Sequence, residues 1–322
     1  MTTATAISHR TIQTNGINMH IAEAGEGPLV LLLHGFPELW YSWRHQLPAL
    51  AAAGYHAVAP DVRGYGGTDA PQPIEAYSMK NMVADAVGVL DALGEQTAVV
   101  AGHDWGAPMA WNCAITYADR FRAVIGMSVP FLPRGPIPPM QLFRQVFANQ
   151  FFYILYFQDP GVAEKELEAD VRKSMRTFLY SASGDVPPPE ANFWQKPKDS
   201  TFLFRLPDPG HNLPSWLTED DLDEFVGEFE RTGYRGGLNR YRNMDRDWED
   251  SAELAGAKVR QPAMFITGER DGVRSFTPPP EQMREHVPDL REIIVVPGAG
   301  HWIQQERPAE VNEAMLKFLG SM

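Results

Sequence analysis

The feature that most constrains the fold is a series of short apolar runs, each bounded by turn-forming residues. Six such runs occur, at 28–33, 56–60, 97–101, 123–127, 262–267 and 291–296. Their apolarity is continuous rather than alternating, which is typical of strands covered on both faces in a parallel sheet. Helical patterns lie between them, such as the spaced apolar residues within 83–90 and a helix over 308–319 that begins with proline. The alternation predicts an α/β protein with a mostly parallel central sheet.

The alternation of strand and helix breaks between residues 127 and 262. Thirteen of the 27 prolines fall between Pro130 and Pro214. The same region contains an aromatic segment, FRQVFANQFFYILYFQDPG, and an acidic segment, TEDDLDEFVGEFE, whose apolar residues recur at helical spacing. We therefore predict a helical cap over 133–245, inserted between two parts of the core at 1–132 and 246–322.

Charge and composition exclude several classes of partner. The 28 basic and 41 acidic residues give a net charge of −13, which repels phosphate and argues against nucleic acid and anionic membrane surfaces. No run of 18 apolar residues is present, so we expect no membrane insertion. The single cysteine, Cys113, allows no intramolecular disulfide, and the amino end has no secretory pattern. We expect a cytoplasmic protein, either a monomer or a homodimer.

We expect neither a metal nor an organic cofactor. The nine histidines form no HExxH motif and no closely spaced pair. The glycine-rich segment RGYGGTD lacks both the GxGxxG spacing and the lysine–serine/threonine ending of phosphate-binding loops. Any chemistry in this protein is therefore expected to come from its own side chains.

The most informative motif is GHDWG at 102–106, which follows the predicted strand TAVVA and precedes the helical pattern APMAWNCAITYA. Small residues two positions before and after a central residue permit a tight strand-to-helix turn that lifts the central side chain above the sheet. That residue is Asp104 here, where the motif usually carries serine. A carboxylate is already ionised at neutral pH and can attack an electrophile directly. We predict that Asp104 is a nucleophile.

Two further polar residues stand in the order expected for this architecture, an acid and then a histidine. Asp271 follows the strand PAMFIT in the loop GERDGV, and His301 follows the strand REIIVV in the loop PGAGHW. Both side chains should emerge at the carboxyl ends of parallel strands, where the sites of open α/β sheets collect. We predict that His301 is a base and that Asp271 orients it.

The segment HGFP at 34–37 directly follows the predicted central strand. The backbone amides of Phe36 and Trp105 can donate to an oxyanion at this position, and removing one such donor typically costs about 10²- to 10³-fold in rate. The alternative is a structural turn whose geometry is set by Gly35 and Pro37. The two interpretations are compatible with each other.

Over almost its whole length the chain resembles the soluble epoxide hydrolases of the α/β-hydrolase superfamily. The resemblance is carried by HGFPELWYSWRHQLPALAAAGYHAVAPDVRGYGGTDAP, GHDWG, FFYILYFQDPGVAE, LNRYRNMDRDW, GERDGV and GAGHW. It implies that Asp104 is the nucleophile, His301 the base and Asp271 its orienting carboxylate. In such enzymes two lid tyrosines hold the epoxide oxygen, and Tyr153 and Tyr241 match that pair.

A phenol suits this role because its usual pKa near 10 lets it hold, and then protonate, the alkoxide that ring opening generates. The chain has ten tyrosines, and Tyr156 and Tyr234 are the nearest competitors for the assignment. Arg240 precedes Tyr241 where such enzymes often have tryptophan, which leaves the local packing of Tyr241 open.

The resemblance implies a cofactor-free epoxide hydrolase that acts on a small apolar epoxide and water through a covalent alkyl-aspartyl ester. A haloalkane dehalogenase is the main alternative, but it should offer a second halide donor, often an asparagine where Phe36 stands. A serine-type esterase is disfavoured by Asp104 itself. A non-catalytic binding protein of the same fold is a further alternative. Such a protein would have no need to combine Asp104, His301, Asp271 and the two tyrosines.

Overall fold

An eight-stranded sheet lies at the centre of the protein in a computed structural model that describes residues 6–187 and 195–322. The strands are β1 (Ser8–Thr14), β2 (Ile17–Ala24), β3 (Leu29–Leu33), β4 (His56–Pro60), β5 (Ala98–His103), β6 (Phe121–Met127), β7 (Ala263–Gly268) and β8 (Leu290–Val296). Their order across the sheet is β1-β2-β4-β3-β5-β6-β7-β8. The strands β3 to β8 pair in parallel, so the predicted α/β class with a mostly parallel sheet is confirmed.

All six predicted strands are present, with boundaries that differ from the prediction by two residues or fewer. Every residue of β3, β5 and β7 is buried, which explains why continuous apolar runs marked them. Parallel pairing also brings the carboxyl ends of β3, β5, β6, β7 and β8 to one edge of the sheet. This edge is where the predicted site residues follow their strands.

The first two strands form an antiparallel hairpin that the sequence prediction missed. It turns at Asn15 and Gly16, whose φ angles of 42° and 78° are typical of a two-residue hairpin turn. Because β1 lies at the sheet edge and most of its side chains are exposed, no apolar run marks it. The strand β2 joins the hairpin to β4 in antiparallel pairing.

Helices cover both faces of the sheet. The α-helices of the described residues are α1 (Gln46–Ala52), α2 (Met79–Leu93), α3 (Gly106–Thr116), α4 (Pro139–Val146), α5 (Tyr153–Tyr156), α6 (Val162–Leu167), α7 (Val171–Ser181), α8 (Glu219–Thr232), α9 (Arg235–Tyr241), α10 (Met244–Asp250), α11 (Ile303–Glu306) and α12 (Pro308–Gly320). The apolar residues of α2 and α3 belong to one buried core, and those of α1 and α12 belong to a second core on the opposite face. None of the helices in the described residues has the length and apolarity to cross a membrane.

The helices α4 to α10 lie between β6 and β7, the segment in which the cap is predicted. The apolar stripe of the acidic helix α8 is buried, as its spacing predicts. On the same helix Asp221 accepts a hydrogen bond from the Tyr41 hydroxyl at 3.0 Å and pairs with Arg44 at 2.9 Å. These contacts hold the inserted helices to the segment between β3 and α1. The cap boundaries at 133 and 245 stay a prediction.

Candidate active site

Asp104 occupies a sharp turn between β5 and α3. Its φ of 50° lies in the left-handed region, which non-glycine residues seldom adopt. A Cβ atom on Gly102 would lie 1.9 Å from the Gly106 carbonyl oxygen, and one on Gly106 would lie 1.9 Å from the Leu33 carbonyl oxygen. Both positions therefore require glycine. The spacing of GHDWG predicts this kind of turn, and the turn raises the Asp104 carboxylate above the sheet edge.

The loops that follow β7 and β8 bring the other two predicted residues to Asp104. The Nε2 atom of His301 lies 3.5 Å from Oδ2 of Asp104, and its Nδ1 atom lies 3.1 Å from Oδ1 of Asp271. Asp271 also accepts a hydrogen bond from the Val273 backbone N–H at 3.0 Å. The imidazole thus stands between two carboxylates, with one ring nitrogen directed at each.

The two carboxylates control the protonation of His301. Burial lowers the pKa of His301, but the charges of Asp271 and Asp104 and their hydrogen bonds outweigh burial and leave it well above the usual value. Burial likewise raises the pKa of Asp271, while His301, Ser128 and the Val273 N–H act in the opposite direction and leave it below the usual range. His301 and Asp271 therefore form an ion pair between an imidazolium and a carboxylate.

The HGFP turn meets the same carboxylate. The Phe36 backbone N–H donates to Oδ1 of Asp104 at 2.8 Å. A Cβ atom on Gly35 would lie 2.2 Å from that oxygen, so only glycine allows the approach. The Trp105 backbone N–H makes no hydrogen bond to the described residues, which leaves it available as a second donor. Oδ1 of Asp104 is thus held by Phe36, whereas Oδ2 is the oxygen that contacts His301.

The two predicted tyrosines lie together, although they come from different helices. Tyr153 begins α5 and Tyr241 ends α9, and their ring centroids are 6.0 Å apart. The Tyr241 ring also packs edge-on against Phe36 at 5.5 Å and Trp105 at 5.1 Å. Burial, followed by the charge of Asp104, raises the pKa of both phenols far above the usual value. Both groups therefore stay protonated and can donate.

The chain is similar to several known proteins. The α/β-hydrolase fold family model matches residues 28–308. Epoxide hydrolase A of Mycobacterium tuberculosis is 49% identical, over 98% of each chain, and epoxide hydrolase 2 of Siraitia grosvenorii is 45% identical, over 97% of this chain and 98% of the relative. The crystal structure of epoxide hydrolase A from Mycobacterium thermoresistibile superposes with a TM-score of 0.93 at 49% identity, over 98% of each chain.

The chain belongs to the epoxide hydrolase family. In this epoxide hydrolase the competing tyrosines have other surroundings. The Tyr156 hydroxyl donates to Oε2 of Glu166 at 2.9 Å. The Tyr234 hydroxyl is buried with no hydrogen-bond partner among the described residues, and after burial the charge that raises its pKa is Glu168 rather than Asp104. Of these four tyrosines, Tyr153 and Tyr241 are the ones whose pKa is raised by the charge of Asp104.

Arg240, at the position where the resemblance leads us to expect tryptophan, is held by contacts with Trp105, Tyr77 and Asp247. Its guanidinium lies over the Trp105 ring at 4.7 Å, in a cation–π contact. It also donates to the Tyr77 carbonyl oxygen and pairs with Asp247. Trp105 of this epoxide hydrolase is thus held between a cation on one side and the Tyr241 ring on another.

Sequence reasoning missed three buried polar residues that hold these loops. His103 places Nδ1 2.8 Å from Glu38 Oε2 and Nε2 2.7 Å from the His301 carbonyl oxygen. Glu38 also accepts from the Gly35 N–H at 2.8 Å. Ser128 places its hydroxyl 3.0 Å from His301 Nδ1. The sequence offers only their positions as signals. Glu38 follows HGFP, His103 precedes Asp104, and Ser128 follows a parallel strand.

Glu38 and His103 form an internal ion pair beneath the site. Burial opposes ionisation of Glu38, but the charge and hydrogen bond of His103 prevail and lower the pKa of Glu38 to about 2. Both ring nitrogens of His103 face oxygen atoms, one on the Glu38 side chain and one on the His301 backbone. The pair joins the HGFP turn at Gly35 to the backbone of His301.

Proposed function

We propose that the protein hydrolyses epoxides to vicinal diols in two steps, through a covalent ester on Asp104. One observation carries the proposal: the Asp104 carboxylate contacts the Phe36 N–H on one oxygen and His301 on the other. The charge of this carboxylate helps to raise the pKa of two nearby phenols, Tyr153 and Tyr241, which keeps both protonated. Nucleophile, base and proton donors are thus available around one point.

In the first step Oδ2 of Asp104 attacks an epoxide carbon, and the bond from that carbon to the ring oxygen breaks. The electron pair of that bond stays on the oxygen, which becomes an alkoxide. Tyr153 and Tyr241 donate hydrogen bonds to the oxygen, and one of them transfers its proton. The product is a neutral alkyl ester whose carbonyl oxygen is Oδ1, still held by the Phe36 N–H.

In the second step His301 takes a proton from water, and the hydroxide attacks the ester carbon. Esterification removes the charge of Asp104, one of the two charges that raise the pKa of His301, so forming the ester favours the neutral imidazole that the step requires. Negative charge then collects on Oδ1, where the Phe36 and Trp105 amides stabilise it. Collapse of this intermediate breaks the bond between the Asp104 carbon and Oδ2, which leaves with the diol. The proton held by His301 and the proton of the new Asp104 carboxyl group pass to the departing oxygen and to the tyrosinate, which restores the free enzyme.

The haloalkane dehalogenase alternative has less support from the residues around Asp104. At the position where that class often has asparagine, Phe36 packs its ring against Phe157 at 5.7 Å and Tyr241 at 5.5 Å. A phenyl ring offers no N–H to a departing halide. The two tyrosines, in contrast, suit an oxygen leaving group that has to gain a proton.

The direct test is to incubate the purified protein with a panel of apolar epoxides and, separately, with haloalkanes of similar size. We expect the protein to form diols from the epoxides and to release no halide from the haloalkanes. We expect Asp104→Asn to form no product at early time points. Halide release without diol formation would favour the dehalogenase alternative. No product from either panel would leave only the binding-protein alternative.

The substrate is proposed to be a small apolar epoxide, because aromatic rings surround the two tyrosines. Phe157 lies 5.6 Å from Tyr153 and 5.1 Å from Tyr241, and Phe202 lies 6.3 Å from Tyr153. A cytoplasmic location is likewise proposed, supported by the single cysteine, Cys113, which is buried. The proposed assembly state is a monomer or a homodimer.

A further inference from the structure

Ser128 stands at the end of β6, between the strand that leads to Asp104 and the strand that leads to Asp271. It is only 1% exposed, and its φ of 68° lies in the left-handed region. Its N–H donates to the Ile266 carbonyl oxygen on β7 at 2.9 Å, which fixes its position. A serine held in this backbone conformation is strained, and such strain collects at functional sites.

The Ser128 hydroxyl contacts His301 and influences the pKa of Asp271. Its Oγ atom lies 3.0 Å from His301 Nδ1, as close as Oδ1 of Asp271 at 3.1 Å. After burial and His301, a hydrogen bond from Ser128 is a further influence on the pKa of Asp271, which it lowers. A hydroxyl both accepts and donates, so it can receive the Nδ1–H of His301 while donating its own hydrogen to Asp271.

We propose that Ser128 is a positioning residue for ester hydrolysis, a second link between His301 and Asp271 that holds the imidazole toward water. This inference rests on the proposed function. A purely structural residue at this backbone conformation would be served best by glycine or asparagine, which tolerate a positive φ. Serine keeps the strained backbone conformation and places a hydroxyl beside Nδ1 of His301.

The role of Ser128 differs between the two chemical steps. Attack by Asp104 needs no base, so it does not depend on the orientation of His301. Hydrolysis of the ester places a positive charge on the imidazole, and both acceptors at Nδ1 stabilise that charge. The hydroxyl should therefore affect the second step and leave the first nearly unchanged.

The first experiment measures the two half-reactions separately in single turnover, by mass spectrometry of the intact enzyme with styrene oxide. Ser128→Gly removes the hydroxyl and accepts the positive φ without strain. We expect its ester formation to stay within about twofold of wild type and its ester hydrolysis to slow about tenfold, the effect of losing a hydrogen bond to a charged group. The pH midpoint of hydrolysis should also move, which a packing role would not cause.

Ser181→Ala is the matched control. This serine is also buried, but its hydroxyl donates to the Phe178 carbonyl oxygen at 3.0 Å. It should keep both rates and the pH midpoint. If Ser128→Gly hydrolyses the ester at the wild-type rate with an unchanged midpoint, the proposal is overturned. Wild-type enzyme that never gains the mass of the ester would instead refute the proposed function, so the two failures are distinguishable.

A second experiment tests whether position 128 reaches Nδ1 in solution. Asp271→Asn removes the orienting carboxylate, and adding Ser128→Asp supplies one from the end of β6, on the side of His301 Nδ1 where the Ser128 hydroxyl lies. Aspartate tolerates a positive φ better than most residues. We expect the double variant to hydrolyse the ester at least about tenfold faster than Asp271→Asn alone. No recovery in a double variant that melts like Asp271→Asn overturns the claim that this position contacts His301.

Discussion

The Nε2 atom of His301 lies 3.5 Å from Oδ2 of Asp104, so the proposed base of the second step directly contacts the proposed nucleophile of the first. In the free enzyme this contact is an ion pair, because both Asp104 and Asp271 raise the pKa of His301. Alkylation of Oδ2 breaks the pair and removes one of those charges. The loss of the Asp104 charge in the first step therefore prepares His301 to act as the base of the second step.

This coupling predicts that replacing His301 separates the two steps. His301→Gln should still form the ester, because the Asp104 carboxylate needs no base, but hydrolysis should slow by about 10²-fold or more without an activated water. Mass spectrometry of the intact protein should show enzyme plus one substrate that persists for hours. A variant that turns over normally, or never gains this mass, would contradict the role given to His301.

The covalent route also predicts where the new oxygen of the diol comes from. In a single turnover in heavy-oxygen water, with enzyme in excess, Asp104 donates one of its own oxygens to the substrate. The diol should be unlabelled, and the peptide that contains Asp104 should carry the label. Direct attack of water activated by His301 predicts the reverse pattern. Labelled diol would therefore refute the ester while leaving the epoxide hydrolase assignment intact.

The paired tyrosines predict a graded loss of ring opening. Tyr153→Phe and Tyr241→Phe should each slow alkylation by about 10²-fold, the usual effect of removing one donor to a developing oxyanion, and the double variant should be nearly inactive. Stopped-flow fluorescence with excess epoxide follows this step.

Tyr156→Phe is the control for the tyrosine variants, because its hydroxyl donates to Glu166 rather than facing Asp104. It should alkylate at the wild-type rate. Normal alkylation in the double variant would remove Tyr153 and Tyr241 from the mechanism and bring Tyr156 and Tyr234 back into consideration.

The His301–Asp271 pair predicts how stability depends on pH. The pKa of His301 is raised above its usual 6.5, so its contribution is complete below pH 6.5 and is lost as the pH rises through the folded value. The pKa of Asp271 is lowered from its usual 3.8, so its contribution is present above pH 3.8 and is lost as the pH falls through the folded value. The stability difference between wild type and Asp271→Asn should therefore be largest between about pH 4 and 6.5.

Urea unfolding of both proteins from about pH 3 to 9 measures this difference in the free energy of unfolding. Asp119→Asn is the control, because Asp119 is exposed and its loss should change stability little at any pH. A difference for Asp271→Asn that widens steadily above pH 6.5 would mean that the pair does not carry the proposed charges.

Local sequence determined the features that depend on neighbouring residues. Continuous apolar runs marked the strands β3 to β8, because parallel strands are covered on both faces. GHDWG determined the turn at Asp104, since contacts at Gly102 and Gly106 exclude any Cβ atom. The hairpin of β1 and β2 escaped prediction because an exposed edge strand needs no apolar run.

Tertiary structure decided which polar side chains meet. Nothing in the spacing of ten tyrosines selects Tyr153 and Tyr241, and only the family resemblance pointed to them. Ser128 and His301 are 173 residues apart, and Glu38 and His103 are 65 apart. Such pairings depend on how the strand ends are ordered across the sheet, which no local pattern encodes. A hydrogen bond acts only over about 3 Å, so its partners are chosen by the folded chain rather than by their neighbours in sequence.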